Sequence, residues 1–229
     1  MADAKIGDGR VHPLREYAGE AYAALAFGLA AGVYSFFTNC EIWHASCRQI
    51  ASLVPGPRVL DLGVGPGTSA LASPPLEPNA RHLGLDLSPD MLRRARRAAS
   101  LRGDYLPLVQ ADAQALPFRD GALDGVTLHS LLYLLERPRF ALAEARRVLR
   151  PGGRIALLEP HAGPLPLRDL ARLPVRSALC MLLWRSMSRL HRRFEEAELE
   201  QLVSEAGFAN VRAWPVLCAV GVMAVGEAS

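Results

Sequence analysis

The alternation of short apolar runs with longer helical stretches from residue 57 onward constrains the fold of this 229-residue chain most strongly. Such alternation is typical of βαβ units, in which helices cover both faces of a mostly parallel sheet. Five apolar runs predict strands that follow one another in βα order, which indicates a doubly wound, Rossmann-like α/β fold. These predicted strands are residues 57–62, 81–87, 106–110, 123–129 and 154–159.

The end of the sequence predicts one further helix and two adjoining strands. Residues 195–206 have helical periodicity, and Gly207 stands where glycine commonly ends a helix. Strands are predicted over residues 209–217 and 219–225. Because the connection between them is too short for a crossover, these two strands must be antiparallel. The chain is therefore predicted to form a seven-stranded, mostly parallel sheet with an antiparallel last strand.

Two segments fall outside this βα pattern. We expect residues 1–52 to form a helical N-terminal lid on a main domain of residues 53–229, with a second lid inserted at about 162–193. Open α/β sheets bind ligands beyond the carboxyl ends of their strands, where such lids would lie. Residues 21–37 and 177–187 are rich in apolar side chains, which favours an apolar small-molecule or lipid-like substrate. Packing of these residues on the sheet edge is an equally open alternative.

Charge and hydropathy exclude several classes of protein. The 26 cationic and 23 anionic side chains nearly balance, so no nucleic-acid partner is expected. A chain that is 50% hydrophobic is not disordered. Residues 21–40 carry no charge, but small and polar residues dilute their apolarity. We expect buried or lid-forming helices there rather than a membrane span.

The four cysteines lack the spacing of a metal site. Cys40, Cys47, Cys180 and Cys218 form no C-x-x-C pair, and the nearby histidines complete no zinc-ligand pattern. The sequence therefore predicts no metal site. It predicts buried, reduced thiols, as in a cytoplasmic protein.

A glycine-rich turn follows the first predicted strand. Gly63, Gly65 and Gly67 allow the backbone to turn sharply and to approach a ligand closely, next to the free N–H groups of a helix N-terminus. Asp86 ends the second strand, where a carboxylate can accept both hydroxyls of a ribose, and Asp112 follows the third. Taken singly, Asp86 could cap a helix and Asp112 could belong to a turn. Together with the glycine turn, they predict a nucleotide-like ligand at one edge of the sheet.

The residues around the glycine turn favour a cationic ligand over a dinucleotide. Thr68 stands where a dinucleotide fingerprint has its third glycine. Asp61 lies two residues before the first glycine, where its carboxylate would repel a pyrophosphate but attract an amino group or a sulfonium. An oxidoreductase that binds NAD is therefore the less favoured alternative, and the preferred ligand is S-adenosylmethionine.

Residues 58–159 resemble the class I S-adenosylmethionine-dependent methyltransferases, most of all the group that includes the ubiquinone and menaquinone biosynthesis C-methyltransferases. The tail from 194 to 211 also looks like the last helix and strand of that group. The resemblance implies a methyltransferase with S-adenosylmethionine as cofactor; a non-catalytic scaffold that binds the same cofactor stays open. The stretches that carry the resemblance are VLDLGVGPGT (59–68), GLDLSPDM (84–91), QADAQALPF (110–118) and RVLRPGGRI (147–155).

The resemblance also implies roles for the residues of the glycine turn. Asp61 and the backbone of Gly63 and Gly65 would hold the methionine part of the cofactor, within the loop that Gly67 completes. Asp86 would take the two ribose hydroxyls. These roles are implied by the family pattern rather than by the spacing of the residues.

A second set of residues is implied to bind the adenine ring. Leu87 and Met91 would pack on the ring, and Asp112 together with the N–H of Ala113 would read its amino edge. Each of these positions matches the family pattern in this sequence.

The sequence offers two histidines as catalytic bases. Methyl transfer is an in-line displacement that gains most from alignment, so no base is obligatory. His129, at the carboxyl end of the fourth predicted strand, is the best-placed candidate for a base, and His161 is the second. Either could instead be a polar pocket wall or a helix cap. The family group often has a pair of histidines after the fourth strand; this chain has Tyr133-Leu134, so no role is carried over.

Four arginines near the second lid have helical spacing. Arg185, Arg189, Arg192 and Arg193 would share one face of a continuous helix. A cationic face beside an apolar one could rest on an anionic membrane surface, so peripheral membrane contact is one expectation. A simple solvated face is the other. The sequence does not indicate an oligomeric state.

Overall fold

The computed structural model describes residues 40–72 and 81–229. Seven strands within these ranges form one sheet: β1 (Arg58–Leu62), β2 (Arg81–Asp86), β3 (Leu108–Gln110), β4 (Leu123–His129), β5 (Leu149–Pro160), β6 (Phe208–Val216) and β7 (Gly221–Ala228). Their order is β3-β2-β1-β4-β5-β7-β6. The pairs from β3 to β5 are parallel, whereas β7 is antiparallel to both β5 and β6. The predicted doubly wound α/β fold is confirmed.

Helices lie between the strands, and local sequence explains their ends. The Ser88 side chain accepts the N–H of Met91 at the start of the helix after β2, and Gly103 ends that helix in a left-handed conformation. The described α-helices are α1 (Glu41–Leu53), α2 (Thr68–Ala72), α3 (Pro89–Arg102), α4 (Pro138–Val148), α5 (Leu167–Leu170), α6 (Val175–Ser188) and α7 (Glu196–Glu205), with a 3₁₀ turn at Leu132–Leu134.

The alternation of side chains along β1 separates the two faces of the sheet. Leu60 and Leu62 are fully buried in the cluster formed with α4 and α7. Val59 points to the opposite face and packs in the cluster formed with α1 and α6. Asp61 lies two residues after Val59, so its side chain points to the same face of the sheet as Val59. A buried carboxylate therefore faces α1 near the carboxyl end of the central strand.

Most of the predicted N-terminal lid falls on residues 1–39, outside the described residues, as does the apolar run before Cys40. Helix α1 packs on the sheet beside α6, where the rings of Trp43 and Trp184 meet edge to face with centroids 5.2 Å apart. None of the helices in the described ranges has both the length and the apolarity to cross a membrane.

The strands and helices differ from the predicted bounds at a few ends. Strand β3 is shorter than predicted, and β5 begins at Leu149, before the Pro151-Gly152-Gly153 turn rather than after it. Gly152 has a positive φ of 74°, which allows the chain to turn within the strand and return to pair with β4. Helix α2 covers five described residues.

The predicted stripe of four arginines on one helical face is wrong. Helix α6 ends at Ser188, so Arg192 and Arg193 lie beyond it. Arg185 falls on the buried face of the helix, because it is one turn after Met181, which packs against α1 and the sheet. Only 7% of Arg185 is exposed.

Gly125 in β4 keeps α1 close to the sheet. A Cβ at position 125 would overlap Cγ1 of Val54, at the end of α1. We expect Gly125→Ala to lower the free energy of unfolding by about 2 kcal/mol, because an overpacked core must shift. Adding Val54→Ala removes the overlapping methyl group, so the double variant should be no less stable than Val54→Ala alone. Urea denaturation of the four proteins measures the coupling, and additive effects would contradict this packing.

Candidate active site

The turn between β1 and α2 lies at the carboxyl edge of the sheet. Gly63 and Gly67 have φ values of +74° and +85°, which favour glycine. A Cβ on Gly63 would come 2.9 Å from the Leu131 side chain, and one on Gly67 would come 3.1 Å from Ala95. The N–H groups of Gly63 and Val64 bind the carbonyl of Leu85, at 2.8 and 2.9 Å. The turn is therefore fixed against the end of β2.

Asp86 ends β2 and connects the glycine turn to the start of α3. Its Oδ2 accepts the Gly65 N–H at 2.8 Å, and its Oδ1 accepts the Ser88 N–H at 2.8 Å. Burial raises the pKa of Asp86; the N–H groups of Ser88, Gly65 and Leu87 oppose this shift, and the charge of Asp61 adds to it. Each carboxylate oxygen has a second lone pair, so Asp86 can still accept two hydroxyl groups.

The residues predicted to bind adenine lie at the ends of β2 and β3. The Gln110 side chain donates to the carbonyl of Leu87 at 3.3 Å, which joins the two strand ends. Leu87 is 43% exposed, whereas Met91 is buried in the first turn of α3. Asp112 accepts the N–H of Gln114 at 2.8 Å and is half-buried.

The structure thus brings the predicted carboxylates to the ends of neighbouring strands. Asp61 belongs to β1, Asp86 ends β2, and Asp112 follows β3. Ala113, next to Asp112, is buried. The three strands are adjacent in the sheet, so the glycine turn and the acidic residues share one edge.

The side chain of Asp61 is held on the α1 side of the sheet. Its Oδ2 accepts the hydroxyl of Ser69, and its Oδ1 accepts the hydroxyl of Thr127 at 3.2 Å. Nδ1 of His129 lies 3.3 Å from the same Oδ1. Both Asp61 and His129 are only 5% exposed at the side chain. Buried carboxylates need such partners, because an isolated buried charge is costly.

His129 carries the proton in this pair. Burial alone would lower its pKa, but the neighbouring Cys47 and the carboxylate of Asp61 outweigh burial and raise the pKa to about 10. A small cavity of about 20 Å³, enough for about one water molecule, is bordered by His129, Asp61, Thr127 and His82. The imidazole therefore borders a small cavity beneath α1.

A second buried carboxylate shapes the turn after β4. Oε1 of Glu159 accepts the N–H groups of Leu131 and Leu132 at 3.1 and 2.8 Å, and Oε2 accepts that of Tyr133 at 3.2 Å. Burial outweighs these hydrogen bonds and raises the pKa of Glu159 to about 7. Ser130, just before this turn, has a positive φ of 58°. Glu159 fixes the backbone on which Leu131 contacts the glycine turn.

His161, the second candidate base, is held by a separate set of groups. Its Nδ1 lies 3.0 Å from the carbonyl oxygen of Ala219, and its Nε2 lies 3.2 Å from the carboxylate of Glu196. The ring therefore joins the end of β5 to the start of α7.

Several groups that contact Asp61, His129 or the turn after β4 were not identified from the sequence. Thr127 precedes His129 by two positions in a strand. Because alternate residues of a strand point to the same face, the sequence does predict that these two side chains share a face. Ser69 and Cys47 reach the pair through the packing of α2 and α1, for which the sequence holds no local signal. Glu159 has no local signal either, because its partners lie in the turn after another strand.

Comparison with known proteins gives the family. Residues 60–157 match the family model described as a methyltransferase domain. A demethylmenaquinone methyltransferase of Clavibacter sepedonicus is 34% identical over 185 residues, which cover 76% of this chain and 74% of that protein. The chain belongs to the class I S-adenosylmethionine-dependent methyltransferases. It lies close to the group of the ubiquinone and menaquinone biosynthesis C-methyltransferases.

Other relatives match over shorter lengths. A demethylmenaquinone methyltransferase of Thermus thermophilus is 41% identical over 117 residues, 51% of this chain and 53% of that protein. The chain spans 31% of the length of a further relative. The solved structure of an S-adenosylmethionine-dependent methyltransferase from Thermotoga maritima has the same fold, with a TM-score of 0.65, 20% identity, and coverage of 89% of this chain and 98% of that one.

S-adenosylmethionine is the cofactor of this methyltransferase family, and the donor set at the sheet edge suits it. Asp86 keeps two acceptor positions beside a glycine turn, as a ribose with two free hydroxyls requires. Asp112 adds an acceptor at the end of the adjacent strand.

Proposed function

We propose that this methyltransferase acts on a small, apolar or lipid-like acceptor. The observation that carries the proposal is the concentration of exposed apolar side chains in the segment between β5 and α7. Five of the nine large apolar side chains that are exposed among the described residues lie in this segment, where an apolar ligand can contact them: Leu167, Val175, Leu179, Leu182 and Leu190. The relatives named for demethylmenaquinone methylation support an apolar or lipid-like acceptor.

We assign the donor half of the site to the edge formed by β1, β2 and β3. Asp86 would hold the ribose hydroxyls, and the backbone of Gly63, Gly65 and Gly67 would line the methionine part. Leu87 and Met91 would pack on the adenine, whose amino edge would meet Asp112 and the N–H of Ala113. When bound, S-adenosylmethionine supplies an electrophilic methyl group on a sulfonium.

We further propose that His129 positions Asp61 rather than taking a proton from the acceptor. A protonated imidazole has no lone pair to accept a proton, and burial and Asp61 leave the ring little access to an acceptor. The carboxylate held in this way would offer its remaining lone pairs to the cationic end of the methionine. The methyl transfer itself then relies on alignment, which can contribute about 7 to 11 kcal/mol.

Transfer of labelled methyl groups into a lipid extract tests the acceptor class. Purified protein, given S-adenosylmethionine labelled on its methyl group, is expected to label a product that partitions into organic solvent, and mass spectrometry identifies it. The matched control is Asp86→Asn, which should label far less product when S-adenosylmethionine is kept well below saturation. Label found only in the aqueous phase would contradict an apolar acceptor while leaving methyl transfer intact.

A further inference from the structure

Arg185 is a buried cation without an anionic partner among the described residues. Its terminal nitrogens donate to the carbonyls of His161 and Gly163, in the loop after β5. Its Nε is buried and has no hydrogen-bond partner. Carbonyl oxygens satisfy donors, but they are neutral and leave the charge of the guanidinium in place. A buried guanidinium in proteins is ordinarily paired with an acid.

Two further arginines surround this charge. Arg189 follows Arg185 by one helical turn, because the helical backbone continues through residue 189. The charges of Arg193 and Arg189, added to burial, lower the pKa of Arg185. Neither has an ion pair with a described acid, so repulsion among the three is not relieved by a neighbouring carboxylate.

Three acids near this cluster are already engaged, and Glu195, two residues after Arg193, is exposed and forms no ion pair with a described arginine. Glu159 is buried and accepts three backbone N–H groups. Glu196 accepts from His161, and Glu198 pairs with Arg192. The arginine cluster, defined as Arg185, Arg189 and Arg193, therefore presents excess positive charge.

The segment that carries the cluster lies at the carboxyl edge of the sheet. Phe194 forms a backbone bridge with His161, at the end of β5. The ring of His191 meets that of Tyr133, in the turn after β4, with centroids 5.6 Å apart. The arginine cluster thus adjoins β4 and β5, whereas the proposed donor half occupies β1, β2 and β3.

We propose that the arginine cluster is an oxyanion subsite, which binds a carboxylate or phosphate group of the methyl acceptor. Arg189 and Arg193 contact the anion, and the buried charge of Arg185 strengthens its attraction from within the protein. The subsite rests on the proposed function, and it refines the acceptor to an amphiphilic acid whose apolar part meets the exposed leucines of α6. The anion is either a free small molecule or the headgroup of a membrane lipid.

Calorimetric titration of the full chain tests this subsite with matched probes. Decyl phosphate and decanol share one apolar chain and differ in charge, and vesicles of phosphatidylcholine with and without phosphatidylglycerol supply the lipid form. We expect decyl phosphate or the anionic vesicles to bind at least about tenfold more tightly than the neutral counterpart, as hydrogen bonds to charged groups allow. The variant Arg189→Gln/Arg193→Gln should lose this preference.

Two controls separate the subsite from nonspecific charge and from failure of the fold. Arg192→Gln removes an exposed arginine that already pairs with Glu198, so the preference for the anion should persist. S-adenosylhomocysteine binding, measured in the same samples, should be unchanged in every variant.

The outcomes show whether the anion is a free molecule or a lipid headgroup. They also show whether the subsite or the proposed function is wrong. Preference for decyl phosphate alone assigns the subsite to a free acid, and preference for anionic vesicles alone assigns it to a lipid headgroup. Equal binding of charged and neutral probes, or equal loss in Arg192→Gln, overturns the subsite. If the unaltered protein does not bind S-adenosylhomocysteine, the proposed function itself is overturned.

Discussion

Asp86→Asn is expected to weaken the binding of S-adenosylhomocysteine by about 100-fold, the effect of one lost hydrogen bond to a charged group. The carboxylate accepts the N–H groups of Gly65 and Ser88 and keeps two lone pairs for hydroxyls. In asparagine, an NH₂ group replaces one of the two carboxylate oxygens. This NH₂ donor would then face a backbone N–H, which is also a donor. The variant therefore loses a ribose contact and loosens the glycine turn together.

Isothermal titration calorimetry measures this effect, with Asp104→Asn as the matched control. Asp104 is half exposed at its side chain and pairs with Arg102 on the surface, so its loss should leave the affinity within about a factor of two. Circular dichroism establishes that both variants fold. Unchanged affinity in folded Asp86→Asn would contradict the placement of the ribose at β2.

The fold, and the edge to which we assign the donor half, could be predicted from the sequence for a geometric reason. The βα alternation predicts a parallel sheet, and the carboxyl ends of parallel strands meet at one edge. Asp86 and Asp112 each follow an apolar run directly. Their proximity in space therefore needed no knowledge of packing, only the adjacency of the strands that carry them.

Two members of the site around Asp61 and His129 could not be predicted, because their positions depend on how helices dock. Ser69 reaches the carboxylate from α2, and Cys47 approaches His129 from α1. The burial of Arg185 could not be predicted from the sequence either, because it also depends on how helices dock. Its spacing from Arg189 suggested a solvated face, but the docking of α6 on α1 turns that face inward and buries one arginine while leaving the next exposed.

His129→Gln is expected to lower the free energy of unfolding by about 3 kcal/mol at pH 6, because Asp61 stays buried and loses its cationic partner. The pKa of His129 is raised from 6.5 to about 10 in the folded chain. Between these values the folded protein holds a proton that the unfolded chain has released. The stability that His129 contributes is therefore complete below pH 6.5 and declines as the pH rises through 10.

Urea denaturation at pH 6 and at pH 10 measures this dependence as a difference between the wild type and His129→Gln. The difference should shrink as the pH rises, since a neutral imidazole and a glutamine amide both serve Asp61 only as uncharged donors. His44→Gln is the matched control on the adjoining helix, because burial lowers the pKa of His44 and its contribution cannot decline in the same way. A difference that grew with pH would mean that His129 is neutral in the folded chain. The ring would then have the lone pair that a catalytic base needs, and the positioning role would give way to proton transfer.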